Sequence, residues 1–136
     1  MALISHKSGA KILDDSYNSN PWAAISTLHY FNKLAKGKKV AVLGDMLELG
    51  EFDEVAHREL GREVAKSDFE AIIGVGKSSI HLIAEVKAGS KGTKTHLVSN
   101  AMEAKEQLKN YLHENTYILV KGSRSLGLDK LIQALS

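Results

Sequence analysis

The chain has 136 residues, 43% of them hydrophobic and 25% charged, with a formal net charge of +2 and no cysteine. That length suits one domain with a substantial core, and the missing cysteines exclude disulfides, iron–sulfur clusters and cysteine zinc sites. So small a net charge gives no ground for nucleic-acid binding, and the basic cluster "KGKK" (36–39) reads as a solvated turn. The aromatics are not interleaved with basic residues as a base-stacking platform requires. No apolar run approaches the ~20 residues that span a bilayer. "MALISHKSGAK" lacks the apolar stretch of a secretory leader. A monomeric cytoplasmic protein that meets neither nucleic acid nor membrane is expected.

In chain order, "AKILDD" reads as a short strand. "PWAAISTLHYFNKLA" follows, with Trp22, Ile25, Leu28, His29, Phe31 and Leu34 at mostly three- and four-residue spacing, the pattern of an amphipathic helix. "KKVAVLGD" is a buried strand. "EVAHRELGREVAK" is a helix with Val55, Leu60 and Val64 expected on its inner side. "EAIIGVG" is a strand, "SSIHLIAEVKA" a helix, "KTHLVS" a strand and "NAMEAKEQLKNYL" a helix. "TYILVKG" is a strand and "LGLDKLIQAL" a closing helix. Strands apolar throughout, rather than alternating, imply burial on both faces. The expected fold is a three-layer α/β/α Rossmann-like domain with a mainly parallel sheet of five strands.

In such sheets ligands bind beyond the carboxyl ends of the strands. The loops there read "DDSYNSN", "GDMLELGEFD", "GVGKSS", "VSN" and "KGSRSLG". In the first, Asn20 is a helix N-cap and Pro21 the first helical residue. One cap leaves Asp14, Asp15, Tyr17 and Asn18 unexplained. They suit a ribose hydroxyl, an ammonium or a hydrated magnesium ion, or else they tie the loop together through Asx turns.

Asp45 follows a sharp turn at Gly44. The apolar "MLEL" after it is expected to pack on its own domain or on a partner, with at least two of Met46, Leu47 and Leu49 solvent-exposed. His57 is a lone helical histidine, more often a surface residue than a catalyst. "GVGKSS" imitates a phosphate loop, but Ala71 stands where the first Gly belongs and Ile72 and Ile73 continue the strand. The strict pattern fails, and Ser78 or Ser79 is expected to cap the next helix. Lys121 and Arg124, with Ser123 between them, form an anion site or a basic surface loop.

Three segments, "ILDDSYNSNP", "VAVLGDMLELGE" with "HRELG", and "LVKGSR", together resemble the carboxy-terminal domain of the UDP-N-acetylmuramoyl-tripeptide–D-alanyl-D-alanine ligases, a branch of the Mur ligase family. The resemblance runs from about Gly9 to the end. It implies a Mur ligase domain over residues 9–136, with residues 1–8 an added or partial segment. It also implies a sixth, antiparallel strand lying before Ser8 or missing. The implied enzyme is an ATP-dependent carboxylate–amine ligase of peptidoglycan precursor synthesis. ATP and Mg2+ belong to a central ATPase domain, the partner of this one, and none is bound by this domain alone. UDP-muramoyl-tripeptide, activated as an acyl phosphate, and D-alanyl-D-alanine are the substrates.

The resemblance makes Lys121 and Arg124 catalytic cations. Asp14, Asp15, Tyr17, Asn18, Asn20, Asp45, His57 and Ser123 become substrate or nucleotide contacts, with no metal site. A fragment of this kind is expected to be inactive. The rivals are a receiver-like signalling domain, suggested by Asp14, Asp15 and Lys121, and a stand-alone anion- or nucleotide-binding module.

Overall fold

A computed structural model describes residues 1–16, 20–122 and 126–135. Six strands form one sheet: β1 (Ala2–Ser5), β2 (Lys11–Asp15), β3 (Lys38–Gly44), β4 (Ala71–Val75), β5 (Lys94–Val98) and β6 (Thr116–Lys121). Five helices connect or close them: α1 (Pro21–Leu34), α2 (Asp53–Ala65), α3 (Ser79–Gly89), α4 (Ala101–Leu108) and α5 (Leu128–Ala134). No helix among the described residues is long and apolar enough to cross a membrane.

The sheet order is β1-β2-β6-β3-β4-β5, parallel throughout except for the antiparallel pair of β1 and β2. The sixth strand therefore exists. It lies at residues 2–5, ahead of the boundary expected at residue 9, and pairs Ala2 with Asp14 and Ser5 with Lys11.

The apolar strands bury both faces because successive side chains point to opposite sides. Val40 and Val42 of β3 join the layer holding Leu108, Leu128 and Leu131 of α4 and α5. Ala41 and Leu43 join the layer holding Leu28, Phe31, Leu60 and Leu82 of α1, α2 and α3. Full burial of a side chain such as Leu28 or Phe31 contributes about 1.5–3 kcal/mol, so each helix is held chiefly by its inner stripe.

The inner stripe of α2 differs from the expected one. It consists of Ala56, His57, Leu60, Gly61 and Val64, whereas Val55 is exposed. Counting back three and four residues from Leu60 reaches His57 and Ala56; Val55 lies round the helix from them. At the start of α1, Asn20 caps as expected, its Oδ1 accepting from the Ala23 N–H at 2.9 Å, with Pro21 in the first turn.

Candidate functional site

The carboxyl ends of β2, β6, β3 and β4 bring Asp14, Asp15, Lys121, Asp45 and Gly76 to one edge of the sheet. The two acids at the end of β2 have separate tasks. Asp14 Oδ1 accepts from the Ser16 backbone N–H at 3.1 Å and from its hydroxyl at 2.6 Å, an Asx turn that starts the loop. Asp15 points to the opposite side of the sheet. Its Oδ2 lies 2.9 Å from Lys121 Nζ and accepts from the Thr27 hydroxyl at 2.8 Å.

Lys121 is not the exposed cation expected of a basic loop. It is the last residue of β6, lies beside Asp15 in register, and is 3% exposed. Central position in the sheet explains this: β6 lies between β2 and β3, so its last side chain is covered on both flanks.

Asp45 is 8% exposed and acts as the cap of α3 from the loop after β3. Its Oδ2 accepts from the Ser78 N–H at 3.0 Å; its Oδ1 accepts from the Ser79 N–H at 2.8 Å and the Ser79 hydroxyl at 2.7 Å. Ser78 stands at the N-cap position, as expected, but its side chain makes no cap bond, and the Asp45 carboxylate supplies it instead. The orphan N–H groups and the positive end of the helix dipole, which a phosphate loop would offer to a ligand, are already taken by a carboxylate. Gly76 makes this possible. It has φ +113°, and a Cβ there would lie within 2.4–2.7 Å of the Asp45 carboxylate.

His57 is fully buried, which corrects the expectation of a surface histidine. Its Nε2 accepts from the Met46 N–H at 3.0 Å, so the other ring nitrogen carries the proton and donates to the Asp53 carbonyl 2.8 Å away. The ring ties the loop after β3 to the first turn of α2. As a result Met46 points into the core at 1% exposure; Leu47, at 41%, is the exposed one, and Leu49 is half-buried against the core. The expected patch with at least two of these three exposed is therefore absent.

Exposed apolar surface is found nearby instead. Trp22, Phe52 and Val55 line a groove of about 410 Å³ with Pro21, Ile25, Ser26, Ala56 and Glu59. Trp22 is 85% exposed. As the chain's one tryptophan, it gives a direct check. Fluorescence of the 136-residue chain should show the red-shifted emission of a hydrated indole and near-complete quenching by acrylamide. A blue-shifted, protected signal would contradict this placement.

The structure thus pairs Asp15 with Lys121 at the ends of β2 and β6, with Asp14 on the other face of the sheet and Asn20 at the start of α1. Asp45 and His57 serve the neighbouring loop. Tyr17, Asn18, Ser123 and Arg124 lie outside the described residues. Sequence reasoning missed Thr27, whose signal was a polar side chain on an otherwise apolar helix stripe with Ala24, Leu28 and Phe31. The resolved pKa shifts of buried groups lie elsewhere. Burial lowers Lys39 and His96 and raises Tyr111, none of them on these loops. Among the described residues no group of three His, Asp or Glu side chains is placed to hold a metal ion.

The model of the Mur ligase, glutamate ligase domain matches residues 1–124. The UDP-N-acetylmuramoyl-tripeptide–D-alanyl-D-alanine ligase of Bacillus subtilis is 32% identical over 99% of this chain and 30% of its own length. The ligase of that name from Buchnera aphidicola is 35% identical over 91% of the chain and 26% of its own length. Among solved structures, a MurF ligase from Thermotoga maritima in complex with ADP superimposes with a TM-score of 0.79 at 24% identity, covering 98% of this chain and 29% of that one; this likeness concerns the fold. A UDP-N-acetylmuramoylalanyl-D-glutamyl-2,6-diaminopimelate–D-alanyl-D-alanyl ligase from Acinetobacter baumannii gives 0.79 at 28% identity, covering 98% and 28%. The chain spans under a third of the length of these curated relatives. A family match over all six strands, together with the shared fold, shows that the chain belongs to the Mur ligase, glutamate ligase domain family.

Proposed function

We propose that this chain is the terminal, substrate- and nucleotide-contacting domain of a cytoplasmic ATP-dependent ligase that joins D-alanyl-D-alanine to UDP-N-acetylmuramoyl-tripeptide. The observation that carries the reading is a match at 32% identity over 99% of the chain to a relative bearing that name, of which it spans 30%. ATP would phosphorylate the tripeptide carboxylate, and the dipeptide amine would attack the acyl phosphate with loss of phosphate. The phosphate-loop and metal-binding parts belong to a central ATPase domain.

In this reading the loop from Asp14 to Asn20, including Tyr17 and Asn18, contacts nucleotide in the closed enzyme. Ser123 and Arg124 meet anionic oxygens where charge develops. Asp45 and His57 keep the backbone of the adjoining loop in place. The exposed groove at Trp22, Phe52 and Val55 is the face that meets the central domain. A contiguous apolar patch at the ligand-binding edge of a sheet suits such an interface.

The test uses the natural full-length protein and the 136-residue chain side by side. The full-length protein should release phosphate from ATP only when both UDP-muramoyl-tripeptide and D-alanyl-D-alanine are present, and mass spectrometry should show the joined product. The chain alone should do neither and should bind ATP no tighter than millimolar, ~4 kcal/mol weaker than a micromolar site. Micromolar binding by the chain, abolished by Lys77→Ala, would overturn the reading in favour of a stand-alone nucleotide module.

A further inference from the structure

Thr27 sits in the second turn of α1 on the face that packs against the sheet, between Ala24 and Leu28, and is buried. A threonine buried in a helix ordinarily returns its hydroxyl proton to the carbonyl one turn back. Here the hydroxyl leaves the helix and donates to Asp15 Oδ2 at 2.8 Å. The same oxygen lies 2.9 Å from Lys121 Nζ. One carboxylate oxygen therefore joins three elements: α1 through Thr27, β2 through Asp15 and β6 through Lys121.

The packing leaves little freedom at this point. Asp15 and Lys121 face each other as register partners on parallel strands, on the side shared by Leu13 and Leu119. A carboxylate held only by an ammonium can rotate and present either oxygen. A second, directional donor from a rigid helix removes that choice and fixes where the ammonium lies. The residues on both sides are those that start the site's loops. Ser16 enters the Asx turn after Asp15, and Gly122 follows Lys121 with its Cα close to Gly44.

We infer that Thr27 is a positioning residue: through Asp15 it sets the place of the Lys121 ammonium at the carboxyl ends of β2 and β6, where Ser16 and Gly122 follow. The catalytic use of this sheet edge rests on the function proposed above; the positioning itself does not. Lys121, 3% exposed and paired with Asp15 at 2.9 Å, is part of the framework in this arrangement.

The experiment compares Thr27→Val, which keeps the shape and removes the hydroxyl, with Thr27→Ser, which keeps the hydroxyl. In the 136-residue chain, the Lys121 ammonium should give an observable 15N–1H signal in the wild type and in Thr27→Val lose or shift it. Thr27→Ser should restore it. In the full-length protein, Thr27→Val should lower kcat at least tenfold, within the ~10²-fold that a misplacement of about 1 Å produces. The KM for ATP should change less than threefold, and Thr27→Ser should recover most of the rate. An unchanged ammonium signal in Thr27→Val would overturn the inference. So would equal losses of rate in both variants, or a loss that only follows the fraction of folded protein, because Thr27 would then be a packing residue. If the wild-type full-length protein does not ligate, the proposed function falls, and the ammonium signal alone decides the positioning role.

Discussion

Lys121→Met should cost about 3 kcal/mol of folding stability and lower the melting temperature of the 136-residue chain by roughly 10 °C. The reason is its burial. Lys121 is 3% exposed and pairs with Asp15 at 2.9 Å. Methionine fills the space of the lysine stem but leaves the mostly covered Asp15 carboxylate beside an apolar group. An exposed cation of a basic loop would contribute only ~0–1 kcal/mol, so the two readings of this residue differ by more than the error of a denaturation curve. The double variant Asp15→Leu/Lys121→Met should recover most of the loss, because a buried ion pair is often replaced by apolar residues at little cost. Thr27 can then turn its hydroxyl back to its own helix. A coupling energy between positions 15 and 121 near zero, from urea titrations of the two single variants and the double one, would show that the pair does not hold the sheet edge together.

Asp45→Ala should be nearly as damaging, at about 3 kcal/mol. Its carboxylate satisfies two backbone N–H groups at the start of α3 as well as the Ser79 hydroxyl. Loss of a helix cap alone costs ~0.5–2 kcal/mol, and stranding a further buried donor adds ~1–3 kcal/mol. Asp45→Asn should cost less, about 1–2 kcal/mol, since its one carbonyl oxygen still serves Ser79 while its amide faces the Ser78 N–H. Amide exchange would locate the damage: protection should fall at Ser78, Ser79 and the first turn of α3 more than in β3. Uniform loss across the sheet, or no loss at all, would count against Asp45 as the cap.

The order and type of β2 to β6 and of the five α-helices were legible in the sequence because their signals act over a few residues, whereas β1 was expected only from the resemblance. Asn20 and Pro21 start α1 by a bond that reaches only to Ala23. The unbroken apolar runs of β3 and β4 announce strands covered on both faces, and both are buried in the sheet's middle. The pair of acids that closes β2 was visible too: Asp14 holds Ser16, and Asp15 meets Thr27 and Lys121.

What the tertiary structure alone decided depends on contacts across long stretches of chain. Insertion of β6 between β2 and β3 buries Lys121 and turns a loop cation into half of an ion pair. Asp45 caps a helix that begins 34 residues later, at Ser79. Neither partner marks the other in the sequence, because a helix N-terminus accepts any suitably placed carboxylate. Burial of His57 follows from the Met46 N–H, which needed an acceptor once the chain turned inward there. Composition and spacing determine which residues prefer a core, a cap or a turn. The sheet order determines which of those preferences meet, and so which charged groups at its carboxyl edge become framework.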